Sequence, residues 1–201
     1  MRRVVSATVV LLVGAAVACA AEYRSSFGFT VSIPNDWLVL TKQAMAENPT
    51  LANPKEAKAG NINPDLLNEL KAKVEKGSIE MLFDGATSDP TFADNINVMV
   101  RRGQIPDAPD KVRQACDAYP VKLAKYAGRD LAVARCENRD LGATKVFYVE
   151  FEGVVAGTVT MQYQIPRPNN ELLLVTATCK QTSLEKIRPE FEEIVRAIRS
   201  S

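Results

Sequence analysis

The chain contains no histidine among its 201 residues. That absence removes Ser-His-Asp and Cys-His catalysis and every histidine-ligated metal site. Net charge is nearly absent too: 25 basic residues face 24 acidic ones, for a formal +1. No global field of either sign draws in nucleic acid or an anionic surface. There is one tryptophan and there are four cysteines. No C-x-x-C pair occurs among them, which excludes the common redox and zinc spacings. No Gly-rich phosphate loop and no nucleophile elbow appears. What the chain does have is ordinary globular material, 46% hydrophobic and 24% charged. That is enough to bury a sizeable core and too apolar for wholesale disorder.

The longest apolar run lies at the start. Arg2 and Arg3 precede Val4–Ala18, and Ala18-Cys19-Ala20 is an A-x-A cleavage site. A charged n-region, a short h-region and small residues at the cut form an export signal, so residues 1–20 are expected to leave. A second reading shares the same residues. Ala16-Val17-Ala18-Cys19 resembles a relaxed lipobox, in which Cys19 would carry a lipid anchor. After processing, no remaining segment is apolar enough to span a membrane. The expected location is periplasmic or secreted, or, with the anchor, the outer membrane as a lipoprotein.

Cys116, Cys136 and Cys179 remain, at spacings of 20 and 43 residues. In an oxidising compartment this arithmetic gives one disulfide and one free thiol, with three pairings open.

Phe27, Phe29, Val31 and Ile33 share one parity over residues 23–33, which predicts a half-buried strand. Pro34-Asn35-Asp36 ends it, and Trp37 follows as a core plug at its exit. A helix is predicted from Asn63 to Gly77, with Pro64 at its first position. A second opens at Pro109 and carries Val112, Cys116, Tyr119 and Leu123 along one face. Pro120 is expected to kink or split it. Strands are predicted near residues 79–83, 95–101, 131–136, 145–152, 157–165 and 171–179. A closing helix then presents Leu184, Ile187, Phe191, Ile194, Val195 and Ile198, with a capping box at Thr182 and Glu185. Short connections favour antiparallel neighbours. The predicted class is α+β: an α/β/α sandwich with a mainly antiparallel sheet of six to seven strands and three principal helices, in one domain over residues 21–201.

The opening "FGFTVSIP", a tryptophan just beyond "PN", the late meander "TVTMQYQIPRPNNELLLVTATC" and the terminal helix "LEKIRPEFEEIVRAIRSS" together resemble the PsbP-like family. That family is named after the extrinsic photosystem II subunit and includes bacterial envelope relatives. The resemblance spans most of residues 22–199. It implies the sandwich just described and a non-enzymatic role in binding or assembling a larger partner. Photosystem binding does not carry over, since that subunit uses terminal regions and histidines.

Residue by residue, the chemistry is sparse. Asp84, Asp89 and Asp94 sit five apart and could converge on a hard cation, but Pro90 and Phe92 interrupt them, and solvated turn aspartates are the expectation. Glu150 and Glu152 share a strand face opposite Val149 and Phe151, which predicts a wet face. No cofactor and no metal are expected. The function read from the chain is that of a non-catalytic envelope module with a protein partner. The alternative is a carrier of a small apolar or lipid-like ligand, in a cleft involving Trp37, Phe147 or Tyr163.

Overall fold

The computed structural model describes residues 20–34, 37–47, 71–84, 92–142 and 144–200. Seven strands form one fully antiparallel sheet: β3 (Trp37–Leu40), β4 (Glu80–Asp84), β5 (Asn95–Arg102), β6 (Val133–Leu141), β7 (Thr144–Glu152), β8 (Thr158–Arg167) and β9 (Glu171–Lys180). Their spatial order is β3-β4-β5-β9-β8-β7-β6. Both edges are poor templates for a foreign strand: β3 has four residues, and β6 carries Arg135, Glu137, Arg139 and Asp140. A small second sheet has the order β1-β2-β10, from β1 (Ala20–Arg24), β2 (Phe29–Pro34) and β10 (Arg199–Ser200).

The strand predicted over 23–33 is therefore two strands. The chain reverses at Ser25–Gly28, where Gly28 takes a φ of 73° that disfavours a side chain. Glu80 fixes this reversal against β4. Its buried carboxylate accepts bonds from the Ser25 hydroxyl and from the Ser26 amide (2.8 Å) and hydroxyl (2.7 Å). In β2 the predicted alternation holds, with Phe29, Val31 and Ile33 buried.

Helices cover both sheet faces. On one face α4 (Leu184–Ala197) and the small sheet enclose the largest core, where Phe191, Ile187 and Ile194 meet Trp37, Tyr148, Met161 and Val175. On the other lie α1 (Lys42–Glu47), α2 (helical over the described residues 71–75) and α3 (Pro109–Ala127). Two smaller clusters form there, one around Val74 and Phe83, the other around Leu123 and Phe147. The predicted start of the α2 helix at Asn63 and Pro64 lies outside the described residues.

One proline expectation needs correction. The α3 helix runs unbroken through Pro120, and the residue is exposed, so the carbonyl that loses its amide partner can face water. The cap of α4 is Ser183, not Thr182. Its hydroxyl turns outward to the Asp94 carboxylate (3.3 Å) and the Lys180 carbonyl (3.1 Å). At the other end of α3, Gly128 closes the helix in the left-handed conformation expected of it.

Candidate functional site

The structure separates the three residues assigned to a ligand cleft. Trp37 is buried against α4, its ring edge-on to Phe191 at 5.9 Å, and its indole N–H donates to Glu190 Oε1 at 2.7 Å. Tyr163 packs on Tyr148 at 4.9 Å within the same core. Phe147 points to the opposite sheet face, under α3, with the Tyr119 ring 5.9 Å away. All three are packed core, with Trp37 and Tyr163 on one side of the sheet and Phe147 on the other.

The cysteines resolve as one bridge and one thiol. Cys116 of α3 bonds Cys136 of β6 and clamps the helix to the sheet edge. Cys179 lies buried on the α4 face, where burial pushes its thiol up to about 12. A thiol held that far from ionisation is a packing residue rather than a nucleophile. Cys19 and Asp89 lie outside the described residues. Asp94 is spent on structure, accepting from the Lys180 amide at 3.1 Å and from Ser183. Among the described residues, no three potential metal ligands gather.

Glu150 departs from the wet-face expectation. It is 5% exposed, beneath α4. Arg188 donates to both its oxygens, each at 2.8 Å, and the Tyr148 hydroxyl donates at 2.6 Å. These bonds hold the carboxyl below its ordinary range and raise the guanidinium further. Arg139 lies over the Tyr148 ring at 4.3 Å and pairs with Glu192 at 3.3 Å. The cluster is a clasp that locks α4 to β7, because Glu150 is held by Arg188 and Tyr148 together.

Among the described residues, a concave feature of the surface lies at one end of the sheet. An open groove of about 630 Å³ runs between the segment leading into α3 and the β8–β9 turn. Gln104, Asp107, Lys111, Arg167, Asn170 and Glu171 supply its polar lining. The sequence positions these groups through two backbone features. Pro109 starts α3 and presents Asp107 and Lys111 one turn apart, bridged at 3.0 Å. The β8–β9 turn places Asn169 and Asn170 at φ 63° and 58°, conformations asparagine tolerates better than other side chains. Gln104 then donates to the Asn170 side chain at 2.8 Å, and Gly103 N–H donates to its carbonyl at 2.8 Å. The Arg167 guanidinium is anchored on the Phe27 carbonyl.

Beside the groove, one helical turn beyond Ala115, Tyr119 enters a chain of side-chain bonds across the sheet. Arg101 donates to Gln164 at 2.9 Å, Gln164 donates to the Tyr119 hydroxyl, and Tyr119 donates to Gln162 at 2.8 Å. Burial raises the Tyr119 phenol, so it stays protonated.

The charged pair of the groove is an exposed ion pair. Lys111 holds the Asp107 carboxyl below its ordinary range, and Asp107 raises the Lys111 ammonium. Both groups therefore stay ionised at neutral pH, whereas proton transfer needs a group poised near it. The groove presents this ion pair and the positioned Gln104 and Asn170 amides. Sequence reading missed it because its lining comes from distant stretches. The one local signal was the Asn169-Asn170 pair, readable only as a turn.

No protein-family model and no curated protein sequence matches the chain. Among solved structures, it is similar to PsbP (CyanoP) of Synechocystis sp. PCC 6803, with a TM-score of 0.56 at 10% identity, over 94% of this chain and 96% of that one. It is more distantly similar to the Ran-binding protein Mog1p of Saccharomyces cerevisiae, with a TM-score of 0.49 at 8% identity, over 91% and 96% of the two chains. Protein PA94 of Pseudomonas aeruginosa gives 0.46 at 12%, over 90% and 97%. The first likeness shows a shared fold, and the other two are too weak to argue from.

Proposed function

We propose that the protein is an exported, non-catalytic binding or assembly module of the cell envelope, a PsbP-like domain over residues 21–201 that follows a cleaved signal. The observation that carries the reading is the groove, a concavity lined by the Asp107–Lys111 ion pair and by amides that the Gln104–Asn170 bond already positions. Such a surface, with Ile105, Pro106 and Pro166 beside its polar groups, suits a segment of a protein partner. Two further features agree with export. The Cys116–Cys136 bridge fits an oxidising compartment, and no described helix is long and apolar enough to cross a membrane.

The test is a photo-cross-linking side chain at Gln104, in cells that make the protein from its full-length gene. One reproducible protein adduct is expected, lost when Lys111→Glu and Arg167→Glu reverse the groove's cations. Equal labelling from Gln104 and from a position on the exposed side of α4, such as Glu193, would end the groove reading.

A further inference from the structure

The end of the sheet away from the groove carries an exposed apolar turn. Val154 and Val155 are 48% and 49% exposed, and Ala156 beside them is exposed as well. Turns are ordinarily built from Gly, Asn, Asp, Ser and Pro, so two adjacent valines at a tip need a reason. The tip is rigid. Gly153 N–H donates to the Thr158 carbonyl at 2.8 Å, and Gln181 N–H donates to Gly157 at 2.9 Å.

The end of α3 abuts this tip. Arg129 donates to the Gly153 carbonyl at 3.1 Å and pairs with Glu152 at 3.0 Å. In the last turns of the helix Tyr126 is 80% exposed and Val121 is 72% exposed. Residues 120–130 hold three cations, Lys122, Lys125 and Arg129, against one carboxylate, Asp130, and with Arg129 paired to Glu152 the unpaired excess is that of Lys122 and Lys125. A tyrosine and lysines around exposed aliphatic side chains are the pattern of a surface that sits in a lipid headgroup layer.

Strand register adds an independent reason. Ala20 pairs with Pro34, and Trp37 pairs with Asp84. Lys180 pairs with Thr158, and Glu152 with Val159. Continuous antiparallel pairing from β3 to β6 puts Trp37, Asp84, Lys180 and the Val154–Val155 tip at one end of the sheet. The described chain therefore begins, at Ala20, toward the same end that bears the apolar tip.

We propose that this end is a membrane-docking face for an anionic phospholipid surface, with Val154 and Val155 inserting and Lys122, Lys125 and Tyr126 resting among the headgroups. The face rests on the envelope reading above for its membrane but not on the groove's partner. A lipidated Cys19 carries a diacylglycerol and would anchor the chain by itself, so the face would then serve to orient the domain on the bilayer. Without the anchor, the same face gives weak, reversible docking that salt relieves.

The test uses the protein made from its full-length gene, so that the cell sets its N-terminus. Val155→Cys is labelled with an environment-sensitive fluorophore. The Cys116–Cys136 bridge and buried Cys179 leave the domain's other thiols unreactive. A second protein carries the label at Thr144→Cys, at the opposite end. With phosphatidylglycerol-containing vesicles, the emission at 155 is expected to shift to the blue and the emission at 144 to stay as in water. Pure phosphatidylcholine should give a smaller response. Adding Val154→Asp should weaken the response at 155 at least ~10-fold, with the melting temperature unchanged. No shift at 155 with either vesicle, an equal shift at 144, or indifference to Val154→Asp would overturn the proposal. Loss of a protein adduct on Val154→Asp with vesicle binding intact would assign the tip to a protein instead. The Gln104 adduct is read separately, so either proposal can fail alone.

Discussion

Replacing Arg188 with methionine tests the clasp between α4 and β7 most directly. Methionine keeps most of the volume and removes the charge. It leaves Glu150 buried with the Tyr148 hydroxyl as its close donor, since Arg135 is 3.9 Å away and 57% exposed. Stripping one partner from a buried pair costs ~3–5 kcal/mol, and the residual help from Tyr148 and Arg135 argues for the lower end, about 3 kcal/mol. In a domain of this size that corresponds to a melting point roughly 6–12 °C lower. Urea unfolding followed by fluorescence reads it well, because Trp37 is the single tryptophan and packs on α4 through Phe191.

The dependence on pH separates this cost from lost packing. In the native protein the Glu150 carboxyl titrates below its ordinary value. Its contribution is therefore present above the unfolded value and is lost as pH falls through the folded one. In Arg188→Met, burial without a cation raises the carboxyl instead, so acid neutralises it and relieves the strain. The stability gap between the two proteins should be widest near neutrality and should shrink below about pH 5. Glu150→Leu combined with Arg188→Met should recover most of the loss, since a paired charge is replaced by apolar contact. A cost under ~1 kcal/mol, or a gap that does not narrow in acid, would refute the reasoning.

Trp37→Ala should cost ~3–5 kcal/mol in urea unfolding, followed by circular dichroism, because a large buried ring is removed from the α4 interface. Replacing Cys116 and Cys136 with alanine should cost about 3 kcal/mol, from the closure entropy of a 20-residue loop, with thermal unfolding as the measure. Cys179 should resist alkylation in the native protein at pH 8 and react fully in denaturant, and rapid native labelling would show that it is accessible.

Local periodicity made much of the fold legible. Phe29, Val31 and Ile33 alternate because one side of β2 faces the core. Leu184, Ile187, Phe191, Ile194 and Val195 recur at helical spacing because one stripe of α4 is buried. The same logic misled at β7, where alternation of Glu150 with Val149 and Phe151 implied a wet face. That inference assumes a sheet covered on one side, and β7 is buried on both, between α3 and α4. The compensating Arg188 lies 38 residues away, where no local pattern can signal it. The break at Ser25–Gly28 went unread for a related reason. Phe27 kept the parity of Phe29 through the turn, so the alternation looked continuous.

The groove and the apolar tip were illegible from spacing alone, because each is assembled from the ends of several strands. An antiparallel sheet gathers all its connections at two ends, and here the ends differ in kind. The groove end gathers Gln104, Asp107, Lys111, Arg167 and Asn170, whose charges and amides are fixed by neighbours. The other end gathers Val154, Val155 and Tyr126, which have apolar surface in water and no covering element among the described residues. Opposite placement has a mechanical consequence. If the apolar end rests on a membrane, the groove points away from it, and the stiff sheet between them sets the height at which a partner is held. A partner captured at Gln104 should then engage the protein equally well whether the domain is docked on vesicles or free. Competition between vesicles and the Gln104 adduct would mean that the two surfaces are not independent.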